Sequence, residues 1–210
     1  MSNNNPSIDP ANNGSLAGTL QFVFNKLSQQ TDGMLPAKVI KYDRDTNRVQ
    51  VQMLITLITT DGSQIPRPQI ASLPVLLLGG GGFFLSFPLQ AGDLGWVMAN
   101  DRDISLFLQS YAQSPPNTAR VKSFSDAVFV PDAMTGYTID SDDTDNVVLQ
   151  SLDGTTKISI GALEINIVSP TKVNVDSPLV YVNPTIPGLF AVNGNITASG
   201  TITPGVPVPP

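Results

Sequence analysis

The last part of the chain, residues 146–203, consists of short runs in which apolar and polar residues alternate. Residues 157–160 and 163–167 each place their isoleucines on one face, with the period of two that defines a β-strand. Pairs that turn or interrupt a chain, such as Asp153-Gly154 and Asn193-Gly194, separate these runs at a density that no helix tolerates. The sequence therefore predicts a series of very short strands.

Strands this short bury little apolar area, whereas ordering each residue costs roughly 1–2 kcal/mol. A β-helix within one chain needs coils of around twenty residues, so this segment would form about three coils with two open ends. We therefore expect identical chains to wind around one another, as a trimeric intertwined β-helix or β-prism over residues 134–203. The side chains expected at the shared axis are Ile158, Ile160, Ile165, Ile167, Val173, Val175, Val180 and Val182.

Composition agrees with assembly and argues against several classes of function. Only 13% of the residues are charged, which suits a protein that hides surface between subunits. A net charge of −6 disfavours nucleic acid as a partner, because phosphate binding needs clustered Lys and Arg.

The chain has no His and no Cys, so the commonest general base and the commonest transition-metal ligand are missing. We expect no enzyme activity, no cofactor and no metal. Without a long apolar stretch or a signal-like amino terminus, we expect synthesis in a cytoplasm.

Residues 1–33 are expected to form a loose polar tail followed by a short helix over about 15–30. Leu16, Leu20, Val23, Phe24 and Leu27 recur at three- and four-residue spacing, which is the pattern of one apolar helix face. We expect this face to pack against the domain that follows. Docking on a partner protein is the alternative.

Residues 34–133 are predicted to form a small OB-type barrel. Expected strands cover residues 35–42, 48–59, 71–78, 93–99 and 104–109, and a further strand at 125–131 is expected to seal the barrel. The polar residues 43–47 between the first two strands indicate a hairpin.

Four glycines, residues 79–82, precede Phe83, Phe84 and Phe87. A phosphate-binding loop would need a following helix and usually a Lys, and neither follows here. The glycines are better explained by a sharp bend or a close approach to a neighbour. We interpret the three phenylalanines as an interface with another subunit or a hub protein, because clustered aromatic rings are costly to expose.

The acidic loop at residues 140–145 contains four aspartates. It lacks the central Gly and the terminal Glu of a calcium-binding EF-hand loop, so a solvated linker is the favoured interpretation over a calcium site. Nor does the sequence contain a recognisable set of nucleophile, base and orienting group. Residues 204–210 alternate proline with apolar residues and are expected to be extended.

Taken in order, several segments resemble central spike proteins from the baseplates of contractile-tailed bacteriophages. They are LPAKV at residues 35–39, RVQVQ at 48–52, LPV at 73–75, QAGDLG at 90–95, DRDI at 101–104, SDA at 125–127 and VNGNITASGTIT at 192–203. The resemblance implies an all-β homotrimer with an OB-fold collar below a baseplate hub protein. It further implies a β-helical spike, part of the virion, that pierces the host outer membrane when the tail sheath contracts.

The tip departs from that family. Many such spikes close with histidines around an iron ion, and this chain has no histidine. We therefore expect either an apolar tip, formed by Ile202, Pro204, Val206 and Val208, or a blunt apex, or a separate tip protein.

Two other functions remain open at this point. A trimeric tail fibre or tailspike that binds or degrades glycans also uses β-helices, but no acid pair is identifiable. An OB barrel can bind single-stranded nucleic acid, but here Lys and Arg are not interleaved with the aromatic residues.

Overall fold

The structure, a computed structural model, describes residues 16–29, 31–59 and 61–180. The chain divides into two compact units, residues 1–168 and residues 169–210. The described part of the second unit, residues 169–180, contains no helix or strand. The first unit has two α-helices, α1 (Leu16–Gln29) and α2 (Ser105–Ser110), and one turn of 3-10 helix (Ser141–Asp143) among its described residues. Its strands are β1 (Met34–Asp43), β2 (Arg48–Met53), β3 (Leu57–Ile58), β4 (Gln64–Ile65), β5 (Ile70–Pro74), β6 (Leu78–Gly80), β7 (Phe83–Leu85), β8 (Leu94–Asn100), β9 (Ser123–Pro131), β10 (Val147–Gln150), β11 (Lys157–Ile160) and β12 (Ile165–Val168).

Five strands form a nearly closed barrel. Their order is β5-β2-β1-β8-β9, and each neighbouring pair is antiparallel. The two edge strands approach each other where Val75 forms a parallel bridge with Phe129 and the Leu76 amide donates to the Phe129 carbonyl at 2.8 Å. The predicted all-β class and barrel are confirmed.

The barrel core follows directly from the alternation in its strands. In β2, every second residue is buried, so Val49, Val51 and Met53 face inward. The buried apolar residues are Ala37, Val39, Val49, Val51, Met53, Leu73, Val75, Val97, Phe124, Ala127 and Phe129.

The predicted strand at residues 104–109 is wrong, because this segment forms α2. Ile104, Phe107 and Leu108 have the spacing of a helix face, and Tyr111 ends the helix in the left-handed conformation with φ 51°. The Asp103 carboxylate accepts from the Ser105 amide at 2.9 Å and so fixes the first turn. The barrel's fifth strand is β9, the segment predicted to seal it.

The predicted strand over residues 48–59 is too long. β2 ends at Met53, and the Leu54 amide donates to the Pro36 carbonyl at 3.0 Å. Beyond this point β3 and β4 pair with each other as a separate hairpin.

The predicted helix at the amino terminus is confirmed as α1, but the expected packing of its apolar face against the barrel is wrong. Leu16, Leu20, Val23, Phe24 and Leu27 are between 46% and 78% exposed. No described helix is long and apolar enough to cross a bilayer.

A second sheet, of three strands in the order β10-β11-β12, follows the barrel in sequence. The strands predicted near residues 157–160 and 163–167 are present as β11 and β12. Residues 172–175, where Lys and Asn alternate with Val in the same pattern, also predict a strand, but none is formed there. The later expected strands lie mostly beyond residue 180, outside the described residues.

Candidate assembly surfaces

One side of the three-stranded sheet is entirely apolar. Antiparallel pairing aligns its side chains in two rows across the strands, so that every second residue of each strand faces the same way. The two rows are Val147-Ile160-Ile165 and Leu149-Ile158-Ile167. All six side chains are between 39% and 73% exposed, and we call them the apolar face. A single chain leaves this face in water.

The opposite side of the sheet carries a network of polar contacts, which we call the polar brace. The Ser159 hydroxyl and the Lys157 ammonium both donate to the Asp143 carboxylate, and Lys157 also donates to Asp140. The Asn146 amide nitrogen donates to Asp143 Oδ1 and to Ser159 Oγ, both at 3.1 Å. Because Asp143 and Ser159 are almost fully buried, the chain itself covers this side of the sheet at β11, whereas Val168 on the same side of β12 is 42% exposed.

The polar brace changes the acidity of its charged members. Hydrogen bonds from Lys157, Ser159 and Asn146 lower the pKa of Asp143 to about 2. Hydrogen bonds to Asp140 and Asp143 raise the pKa of Lys157 to about 12. Both shifts favour the ionised pair in the folded state.

We expect Asp143 to make stability depend on pH in the acid range. Its folded pKa lies below the ordinary value of 3.8, so its contribution is complete above about pH 4 and is lost as the pH falls through about 2. Thermal unfolding of the wild type and Asp143→Asn should therefore differ at pH 7, and this difference should shrink toward pH 2. Asp145→Asn, at an exposed acid of the same loop, is the control. A constant difference between wild type and Asp143→Asn from pH 7 to pH 2 would contradict the assignment.

The residues predicted to line the trimer axis separate into three groups. Ile158, Ile160, Ile165 and Ile167 lie together on the apolar face. Val173, Val175 and Val180 are exposed and belong to no strand. Val182 and the predicted tip residues Ile202, Pro204, Val206 and Val208 lie outside the described residues. Val147 and Leu149 were not predicted for this set, although the apolar run of residues 147–149 was a usable strand signal.

The glycine-rich segment forms an exposed hairpin from β6 and β7. Gly81 and Gly82 turn the chain with φ values of 60° and 86°, which an L-residue rarely adopts. A strand follows the glycines, so they lack the helix that a phosphate-binding loop requires. Phe83 and Phe84 are 83% and 69% exposed, and Phe87 in the following segment is 44% exposed. The three rings thus lie on the surface of one chain.

A second exposed apolar hairpin, formed by β3 and β4, was not anticipated. The exposed apolar side chains in and before it are Leu54, Ile55, Leu57, Ile58 and Ile65. The sequence did not indicate where β2 ends and this hairpin begins, because apolar residues continue past Met53 with only Thr56 between them.

Buried carboxylates in the barrel are paired with Arg120. Its guanidinium contacts Asp126 through two nitrogens, each at 3.0 Å, and Asp103 at 3.1 Å. The Thr118 hydroxyl donates to Asp103 at 2.7 Å. These contacts tie the segment that contains α2 to β9, so the acids have a structural explanation.

The acidic loop has a similar explanation. Within the described ranges, no group of three or more His, Cys, Asp or Glu could hold a metal ion. The Lys157 ammonium contacts both Asp140 and Asp143, where a bound cation would otherwise balance their charge. Asp143 is therefore a buried structural residue, which differs from the solvated linker expected for this loop.

The barrel is also the part of the chain that is similar to a known family. Residues 35–132 match the family model described as the phage protein Gp138 N-terminal domain. A search of curated proteins found no match. The match begins in β1 and ends one residue after β9, so its bounds agree with those of the barrel. It supports a phage structural protein whose barrel resembles the Gp138 N-terminal domain.

Proposed function

We propose that three copies of this chain form the central spike of a contractile-tail baseplate in a phage virion, and that this spike pierces the host outer membrane. The similarity of the barrel to a phage protein domain supports a virion component. The resemblance of the short carboxyl-terminal segments to spike proteins supports the more specific function.

The observation that carries the proposal is the apolar face. Its six side chains remain exposed in one chain, while the polar brace covers the other side of the central strand β11. Side chains alternate strictly between the two sides of a strand, so the sheet cannot bury both sides by turning over. A surface of this kind needs a partner.

Identical copies fit the apolar face better than an unrelated partner. Its rows contain only Val, Leu and Ile, so three such faces can meet at one axis without burying a charge. Three sheets packed in this way form a prism with an apolar interior, which is suited to a stiff shaft. The force of sheath contraction would then act on a small area at the tip, and no chemical step is needed.

The exposed phenylalanines provide a second surface for assembly. Phe83, Phe84 and Phe87 form the surface proposed to contact a baseplate hub protein or a neighbouring subunit. A separate tip protein at the carboxyl terminus and a transient contact with the membrane complete the proposed set of partners.

The proposal predicts a trimer of elongated shape. Sedimentation velocity should give three times the 22.3 kDa mass of one chain, with a frictional ratio well above that of a sphere. Negative-stain electron microscopy should show a needle with one wider end. A monomer, or a compact trimer, would overturn the proposal. Cleavage of host polysaccharide by the purified protein would instead favour a glycan-degrading tailspike.

A further inference from the structure

The apolar face of α1 is a second surface that one chain leaves uncovered. Leu16, Leu20, Val23 and Leu27 are 78%, 61%, 46% and 58% exposed. The helix is 14 residues long, and an isolated helix of this length is marginal in water. Its stability must therefore come from packing of this face.

The spacing of these four residues indicates what covers them. The intervals are four, three and four residues, which is the repeat of a and d positions in a coiled coil. Lys26 is the one charged residue of α1, and it flanks the seam without lying in it, with its ammonium 5.7 Å from the Phe22 ring centre. Identical helices can therefore meet along the seam without bringing like charges together.

Contacts just after the helix fix where it leaves the barrel. The Asp32 amide donates to the Lys122 carbonyl at 2.8 Å, and the Asp32 carboxylate accepts from the Phe124 amide at 3.0 Å and from Arg67 at 3.2 Å. The Thr31 hydroxyl donates to the Ser28 carbonyl at 2.8 Å and so holds the last turn of the helix. In a trimer of barrels, three helices would start from equivalent, fixed positions.

We propose that the α1 helices of three copies pair in parallel as a short coiled coil, through Leu16, Leu20, Val23 and Leu27. This inference rests on the proposed trimer. Two heptads are too few to associate strongly as free helices, but attachment to an assembled trimer gives an effective concentration of about millimolar. The coiled coil holds the chains together through the segment before the barrel in sequence, whereas the shaft follows the barrel.

Cysteine cross-linking tests this pairing, since the natural chain contains no cysteine. In full-length protein carrying Leu20→Cys, mild oxidation should join two chains, giving a dimer band on a non-reducing denaturing gel. Val23→Cys tests the seam at a second position, in case one change disturbs packing. Asn25→Cys is the matched control, because position 25 lies about half a turn away from the seam. We expect the seam variants to cross-link about tenfold faster than the control or more, because a disulfide needs two Cβ atoms about 4 Å apart and only the seam positions bring them that close.

The outcomes separate this inference from the proposed function. If sedimentation shows a trimer but the seam variants cross-link no faster than Asn25→Cys, the coiled coil is excluded, the proposed spike is unaffected, and the helix face is left for a hub protein. If the natural chain is a monomer, both proposals fail.

Discussion

A single charge in the apolar face, introduced by Ile158→Asp, is expected to convert the trimer into monomers. Ile158 lies on the central strand β11, between Leu149 and Ile167 in the same row. Each copy would lose roughly 2 kcal/mol of isoleucine burial and would also have to desolvate a carboxylate. Summed over a trimer, the loss of at least about 6 kcal/mol lowers the association constant by more than about ten-thousandfold. Sedimentation velocity across a range of protein concentrations measures this effect.

The matched control is Val168→Asp, on the neighbouring strand β12. Val168 lies on the opposite side of the sheet and pairs with Lys157, so a carboxylate there meets a positive charge. The Val168→Asp chain should remain a trimer. Circular dichroism should show that both variants keep the β-structure of the wild type. If Ile158→Asp and Val168→Asp have the same oligomeric state, the apolar face is not the trimer interface.

Elements that depend on neighbouring residues can be predicted from the sequence. Elements that depend on contacts between residues far apart in the chain cannot. In β2, the alternation of side chains is itself the burial pattern, so a local signal was sufficient. In β11, the alternation predicts the strand and the shared side of Ile158 and Ile160, but in one chain that side is the exposed one. In α2, a short apolar run fits a strand and a helix equally well. The choice is made by Asp103, which bonds to the first turn and is itself held by Arg120, seventeen residues later.

The same reasoning explains the errors about surfaces. The sequence shows which residues of α1 are apolar, but it does not show whether the barrel offers a complementary groove. Likewise, Asp143 is one of four similar aspartates in the acidic loop. Besides Asn146 of the same segment, its partners are Lys157 and Ser159, on a strand more than a dozen residues later. Interactions of this range leave no local pattern to recognise.

Truncation of the largest fully buried side chain, by Phe129→Ala, is expected to destabilise the barrel by about 4 kcal/mol. The ring lies over Gly95 of the adjacent strand, where a Cβ atom would stand only 2.4 Å from Phe129 Cζ. Because position 95 has no side chain, the ring of Phe129 fills the space there. Removing the ring would leave a cavity beside the contact between β5 and β9. Urea denaturation measures the loss, with fluorescence from Trp96, the one tryptophan of the chain, as the reporter.

Phe22→Ala is the control, because the chemical change is the same but the ring lies on α1, outside the barrel and away from the coiled-coil seam, and is 43% exposed. Its effect on the free energy of unfolding should stay within about 0.5 kcal/mol. Since whole domains are stable by only about 5–15 kcal/mol, the loss at Phe129 would remove a large part of the barrel's stability. Similar free energies of unfolding for Phe129→Ala and Phe22→Ala would show that the barrel is not closed around this ring. The edge contact between β5 and β9, which makes the sheet a barrel, would then need another explanation.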